Sequence, residues 1–255
     1  MSIQACADLV RRGDPDRFRA AMAAPPAARA VLFPLYAFNL EVARAPWVTA
    51  EPMIAEMRLQ WWRDALEEIW QGGPVRRHEV TEPLARVIGP DDAERLDALV
   101  AARRRDCSRD AFADEAQFDA YIDATSGHLM WTAARSLGAD RGEAPIRDFA
   151  WATGVANWLA AVPELEARGH IPLLDGRPEG VAALADRALA RLHAARKARA
   201  QVPRAAIPAL LPGWQAETAL KIARADPSAV AEGRLSASEF ARRGRLLWKS
   251  LSGRW

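Results

Sequence analysis

Met53-Ile-Ala-Glu-Met57-Arg-Leu-Gln-Trp61-Trp62-Arg63-Asp64-Ala65-Leu66-Glu-Glu-Ile69-Trp70 decides the fold class. Apolar side chains at Met53, Ile54, Met57, Trp61, Ala65, Leu66 and Ile69 recur three or four residues apart, the spacing that lines one face of an α-helix. The spacing predicts a buried amphipathic helix. Thr49 and Pro52 mark its start and Gly72-Gly73-Pro74 its end, in the places where capping chemistry puts such residues.

Outward from this segment the same period continues. Helices are predicted after Asp14-Pro15, over about 27–45, from Asp91-Asp92 to about Arg109, and from an Asp114 cap to Gly138. Further helices are predicted over about 146–161, 178–200, 205–225 and 237–251. No window alternates apolar and polar residues as a half-buried strand would, so the predicted class is all-α. Ser236 and Glu239 have capping-box spacing for the last helix, with Leu235 and Phe240 spaced to staple across it.

The chain has 255 residues, half of them hydrophobic, enough for one large core, and residues 1–255 are expected to form a single domain. Thirty-five basic and thirty-three acidic residues leave a net charge of +2, which makes no general case for nucleic acid as a partner. Residues 1–20 are too charged for a signal peptide, and Ala20 to Val42 is interrupted by Pro25, Pro26, Arg29 and Pro34, so a cytoplasmic protein is expected. Cys6 and Cys107 stand far apart, and His78, His128, His170 and His193 form no metal-binding pair, so neither a disulfide framework nor a zinc site is signalled.

Several landmarks in fixed order resemble the squalene/phytoene synthase family. Pro26-Ala-Ala-Arg29-Ala-Val-Leu-Phe-Pro-Leu-Tyr36-Ala37-Phe38 is similar to that family's opening helix, and Trp61-Trp62-Arg63-Asp64-Ala65-Leu66 to its Trp-Arg-x-x-Leu helix. Phe118 to Gly127 resembles the Leu-x-x-Tyr-x-x-x-x-x-Gly helix, and Gly154-Val-Ala156 with Arg168-Gly169-His-Ile-Pro172 the second motif region. The resemblance implies an isoprenoid-synthase-type helical bundle around a central cavity whose mouth holds prenyl diphosphates. It places Tyr36, Phe38, Glu41, Trp62, Tyr121, Gly127, Gly154 and Asn157 around that cavity.

Family enzymes hold diphosphate through Mg²⁺ on two Asp-rich motifs, because a hard cation needs carboxylate oxygens. The first motif reads Cys-Arg-x-x-Asp-Asp-x-x-Asp in the family; this chain has Ala43, Arg44 and Trp47 at the three aspartate positions. In the second motif region it reads Asn157-Trp158-Leu-Ala-Ala161-Val-Pro-Glu164-Leu-Glu166. Trp158, at a pocket-facing position, and Trp47 opposite are expected to fill part of the cavity, whereas Trp61, Trp62 and Trp131 read as core packing.

Arg44 reads either as a substitute cation for phosphate or as a structural arginine, with the second favoured. Asp106, Asp110 and Asp114 have the spacing of a carboxylate stripe, but neighbouring arginines and a cap role for Asp114 explain them better than a metal does.

The lost aspartates resemble the non-catalytic members of the family, which include an assembly factor for respiratory complex I. That resemblance implies a binding or assembly protein, with a respiratory-chain subunit or an isoprenoid or lipid as partner, and no cofactor. The alternative is a diverged prenyltransferase using Mg²⁺ on Glu41 or Glu164; a third reading is an isoprenoid carrier. Near the C-terminus Arg242, Arg243, Arg245, Lys249 and Arg254 alternate with Leu246, Leu247, Trp248, Leu251 and Trp255. Such a helix either closes the bundle with its apolar face, the favoured reading, or lies peripherally on an inner membrane face.

Overall fold

A computed structural model describes residues 3–49 and 51–255. Its described residues form helices and turns without a strand: α1 (Ile3–Gly13), α2 (Pro15–Ala23), α3 (Pro26–Arg44), α4 (Pro52–Trp70), α5 (Thr81–Ala85), α6 (Pro90–Arg103) and α7 (Glu115–Ile122). There follow α8 (His128–Ser136), α9 (Glu143–Ala167), α10 (Pro178–Lys197), α11 (Ile207–Leu210), α12 (Ala216–Ala225), α13 (Ser228–Ala231) and α14 (Glu239–Ser252). The all-α class is as the period predicted.

The longest helix, α9, is the axis of the assembly. Phe149, Ala150, Trp151, Ala152, Val155 and Leu159 bury it almost all round, against α10, α12, α8 and the turn that precedes α8. That turn, Asp123–Gly127, is one turn of π-helix set between α7 and α8. Thr125 Oγ1 donates to the Tyr121 carbonyl at 2.7 Å within it. A Cβ at Gly154 would lie 2.5 Å from Ser126 Oγ and 2.7 Å from Ile122 Cγ2, so the backbones of α9 and the π turn meet at a distance only glycine permits.

Several boundaries and faces differ from the sequence reading. The helix after Asp91-Asp92 leaves α geometry at Arg103 and tightens to a 3-10 turn through Cys107 rather than running to Arg109. Helix α9 runs past Ala161 and through Pro163 to Ala167. The segment 205–225 is helical in pieces: α11 carries Pro208 in its first turn, and a 3-10 turn over Leu211–Gln215 holds Pro212 and Gly213; a Cβ at Gly213 would lie 2.5 Å from the Phe149 ring, so the chain is pressed flat on α9 there.

Helix α4 buries Ala55, Leu59, Trp62, Leu66 and Ile69, whereas Met53, Ile54 and Met57 are exposed. At 100° per residue the Met53, Met57 and Trp61 stripe lies nearly opposite the buried one, so the apolar positions were two faces rather than one. In α14 the cap is Ser238, whose hydroxyl accepts from the Ala241 amide, in place of Ser236. The expected staple is open, because Leu235 is buried while Phe240 is 91% exposed. Among the described residues no helix is long and apolar enough to cross a membrane.

Candidate functional site

A cavity of about 390 Å³ opens between the C-terminal half of α3, the π turn, α9 and the loop after Arg103. Helix α3 presents Asn39 and Ala43 to it one turn apart, and the 3-10 turn that follows α3 adds Trp47. Helix α9 contributes Gly154, Asn157, Trp158 and Ala161 from one of its faces. Ile122, Leu129 and Leu165 line apolar parts of its wall.

Of the fourteen residues that the resemblance puts at the motifs or around the cavity, seven line it: Ala43, Trp47, Tyr121, Gly154, Asn157, Trp158 and Ala161. The other seven lie outside its lining. Phe38 and Trp62 pack edge to face with ring centroids 5.4 Å apart. Tyr36 is buried with the Arg17 guanidinium over its ring at 5.3 Å, and burial pushes its hydroxyl pKa up. Gly127 stands against Asp123 inside the π turn, where a Cβ would lie 2.4 Å from the carboxylate.

Glu41 pairs with Arg44 along α3 at 3.7 Å. Glu164 pairs with Arg168 at 2.6 Å on the solvent side of α9. Neither acid is brought to face the other across the mouth.

Trp47 and Trp158 are held by specific contacts. The Trp47 ring stacks on His170 at 5.2 Å and lies under the Arg168 guanidinium at 4.8 Å. Trp158 Nε1 donates to the Pro172 carbonyl at 2.9 Å, and its ring sits among Phe112, Phe118 and Tyr121. That bond ties the loop after α9 to the cavity wall.

The cavity also holds ionised groups that sequence reading did not assign to it. Arg103 Nη1 donates to Asp106 Oδ2 at 3.0 Å and to the Tyr121 hydroxyl at 2.9 Å, while that hydroxyl donates to Asp106 Oδ1 at 2.6 Å. Burial pushes the Tyr121 pKa well up and keeps the phenol a donor. Burial opposes the Arg103 charge, and Tyr121 and Asp106 outweigh it, so the guanidinium pKa rises. No spacing in the sequence signalled this triad, since Arg103, Asp106 and Tyr121 lie on three different local structures.

Asp14, Asp16 and Asp110 are the other carboxylates in the lining, and each is already engaged. Asp14 caps α2, accepting from the Arg17 amide at 2.9 Å. Asp16 accepts from Arg242 at 2.5 and 2.6 Å and from Gln215 at 2.8 Å. Asp110 accepts from Ser108 Oγ at 2.6 Å.

The Asp106, Asp110 and Asp114 stripe is thus dispersed, with Asp114 capping α7 through the Gln117 amide at 2.8 Å. Among the described residues no three His, Cys, Asp or Glu side chains gather as a metal-holding group. Chemically, the arrangement offers a pocket of mixed character, with aromatic walls, several internally paired charges, and Arg105 held by the Asp110 carbonyl and the Phe112 ring.

The model of squalene/phytoene synthases matches residues 10–173. The chain belongs to the squalene/phytoene synthase family. Within that family its fold is similar to a crystal structure of a dehydrosqualene synthase in complex with ligand, at TM-score 0.80 and 15% identity over 98% of this chain and 95% of that one. It is also similar to a squalene synthase from Alicyclobacillus acidocaldarius, at TM-score 0.73 and 18% identity over 89% and 94% of the two chains. These likenesses establish the isoprenoid-synthase-type bundle.

In sequence the chain is similar to proteins named complex I assembly factor 6 or its homolog. The Drosophila melanogaster protein is 28% identical over 181 residues, 66% of this chain and 53% of that protein. The Homo sapiens protein is 26% identical over 164 residues, 62% and 48% of the two. The chain spans about half the length of these relatives.

Proposed function

We propose that the protein is a non-catalytic member of the squalene/phytoene synthase family that acts as a binding or assembly factor, in the assembly of respiratory complex I. The observation that carries this reading is the cavity mouth. Ala43 and Trp47, two of the three positions where the resemblance puts aspartates, line it without a carboxylate, and Asp14, Asp16, Asp106 and Asp110 are spent on caps, arginines, Gln215, Ser108 and Tyr121. Mg²⁺ demands several nearly octahedral oxygen ligands, and this donor set does not fit it. Arg17, Arg103 and Arg105 remain as cations in the lining, so a diphosphate would there meet guanidinium groups rather than Mg²⁺.

The likeness to complex I assembly factors supplies the class of partner, a subunit or intermediate of that complex. The remaining cavity supports a second reading in which an apolar isoprenoid or lipid is bound without being turned over. The test of the assembly reading is deletion of the gene in the source organism with native-gel analysis of the respiratory chain. Loss of assembled complex I with other complexes intact is the expected outcome. Normal complex I together with loss of an isoprenoid product would overturn it. Calorimetric titration with farnesyl diphosphate separates the second reading, which expects binding that is indifferent to Mg²⁺.

A further inference from the structure

Helix α14 turns its charged side inward and its large apolar side chains outward, the reverse of the face expected to close the bundle. On the inner side Arg242 bonds Asp16, Arg245 bonds Thr218 Oγ1, and Leu246 and Lys249 are buried. Trp255, just beyond the helix, packs on Phe149 at 4.8 Å, and its carbonyl accepts from Arg196 at 2.7 Å. These contacts fix the helix in rotation.

The outer side carries Phe240, Leu247 and Leu251 in line, at 91%, 60% and 79% exposure, with Trp248 at their flank. Their spacing of seven and then four residues keeps them within about 40° of one another around the helix. An exposed stripe of this size on a helix that is otherwise tied down marks an interaction surface.

The charges beside the stripe select its occupant. Arg243, 75% exposed, runs along one edge, and Arg254 lies over the Trp248 ring at 5.6 Å beyond the other end. Residues 237–255 hold five basic side chains and one acid, Glu239, which is already engaged by Arg19, Arg242 and Arg243. An apolar stripe of Phe, Leu and Trp with cations at its edges matches the boundary between acyl chains and anionic headgroups.

We propose that α14 docks the protein on an anionic lipid bilayer. Phe240, Leu247 and Leu251 enter the acyl boundary, Trp248 sits at headgroup level, and Arg243 and Arg254 meet lipid phosphates. This inference does not rest on the assembly reading, since it concerns a surface remote in sequence from the cavity-lining positions of α3 and α9.

Flotation of the purified protein with phosphatidylcholine vesicles, with and without about 30% phosphatidylglycerol, tests it at low and high salt. Binding to the anionic vesicles is expected, weakened by salt, at least tenfold weaker for Leu247→Ser/Leu251→Ser and several-fold weaker for Arg243→Gln/Arg254→Gln. Circular dichroism of both variants is expected to match the parent, because the altered side chains are exposed. A second readout keeps the parent stripe intact: an environment-sensitive dye on Phe240→Cys, in a Cys107→Ser background, should shift to the blue on adding anionic vesicles. No flotation, flotation indifferent to the leucine changes, or no dye shift would overturn the proposal. So would a dimer of the parent chain that the leucine variant dissolves, since the stripe would then be an interface between copies.

Discussion

Two stretches of α9, less than two turns apart, answer to opposite demands. At Gly154 the helix lies against the π turn so closely that a single methyl would collide with Ser126 and Ile122. At Ala161 the same face opens onto the cavity, where a side chain meets space. The seam holds the bundle together, whereas the mouth carries the chemistry the family's enzymes need. The difference teaches why this chain could lose the second and keep the first: the seam needs a glycine against Ser126 and Ile122, and although all three also line the cavity, none of the missing carboxylates takes part in it.

Breaking the seam should have the largest effect. Gly154→Leu forces α9 away from Ile122 and Ser126, and overpacking of this kind costs about 3 kcal/mol. Thermal unfolding followed by circular dichroism should show the midpoint falling by roughly 6–12 °C for a chain of this size. A change under a degree would mean that the close approach is not what fixes α9.

Between seam and mouth stands the Arg103, Asp106 and Tyr121 triad. Tyr121→Phe removes a hydroxyl that serves both ions and should cost about 1–2 kcal/mol in denaturant unfolding, with the slope unchanged.

Lys249 offers a comparison outside both regions. Burial, and then the nearby Arg196 charge, lowers its pKa from the usual 10.5 to about 8, against an opposing pull from Glu217. Between those values the unfolded chain holds a proton that the folded chain has released, so stability rises with pH across that window; below about pH 8 the penalty is fully present. Lys249→Met should raise stability at pH 7 by about 1 kcal/mol and flatten the rise in melting temperature above pH 8.

The smallest effect belongs to the mouth. Ala43→Asp should shift stability by less than about 0.5 kcal/mol, because its side chain enters open cavity. Added Mg²⁺ should leave the melting temperature of the parent chain unchanged, whereas a stabilising shift would reveal a metal site.

The helices were legible because their period is local, and the synthase-like bundle because its landmarks keep their order. The mouth was legible at Ala43, Trp47 and Ala161, which all line the cavity. The triad was not, since Arg103 meets Tyr121 only after the chain leaves α6, passes a 3-10 turn and re-enters at α7. Nor was the rotation of α14. Its apolar positions have the spacing of a core face, and what turns them outward is Asp16, 226 residues away in sequence from the arginine it holds. Met53 and Met57 misled for a simpler reason: two apolar stripes on one helix look like one until a neighbour chooses between them.

The π turn at Asp123–Gly127 has a last consequence, for length rather than for composition. A π turn spends about one residue more than the α-helix it interrupts. Deleting one residue there would close the turn into ordinary α-helix, running α7 straight into α8 with everything downstream close to its present register. Met130 and Trp131, now buried, would keep their places in the core. The turn can therefore lose a position at the cost of its close seam with Gly154, where the same loss within a flanking helix would cost that helix its register.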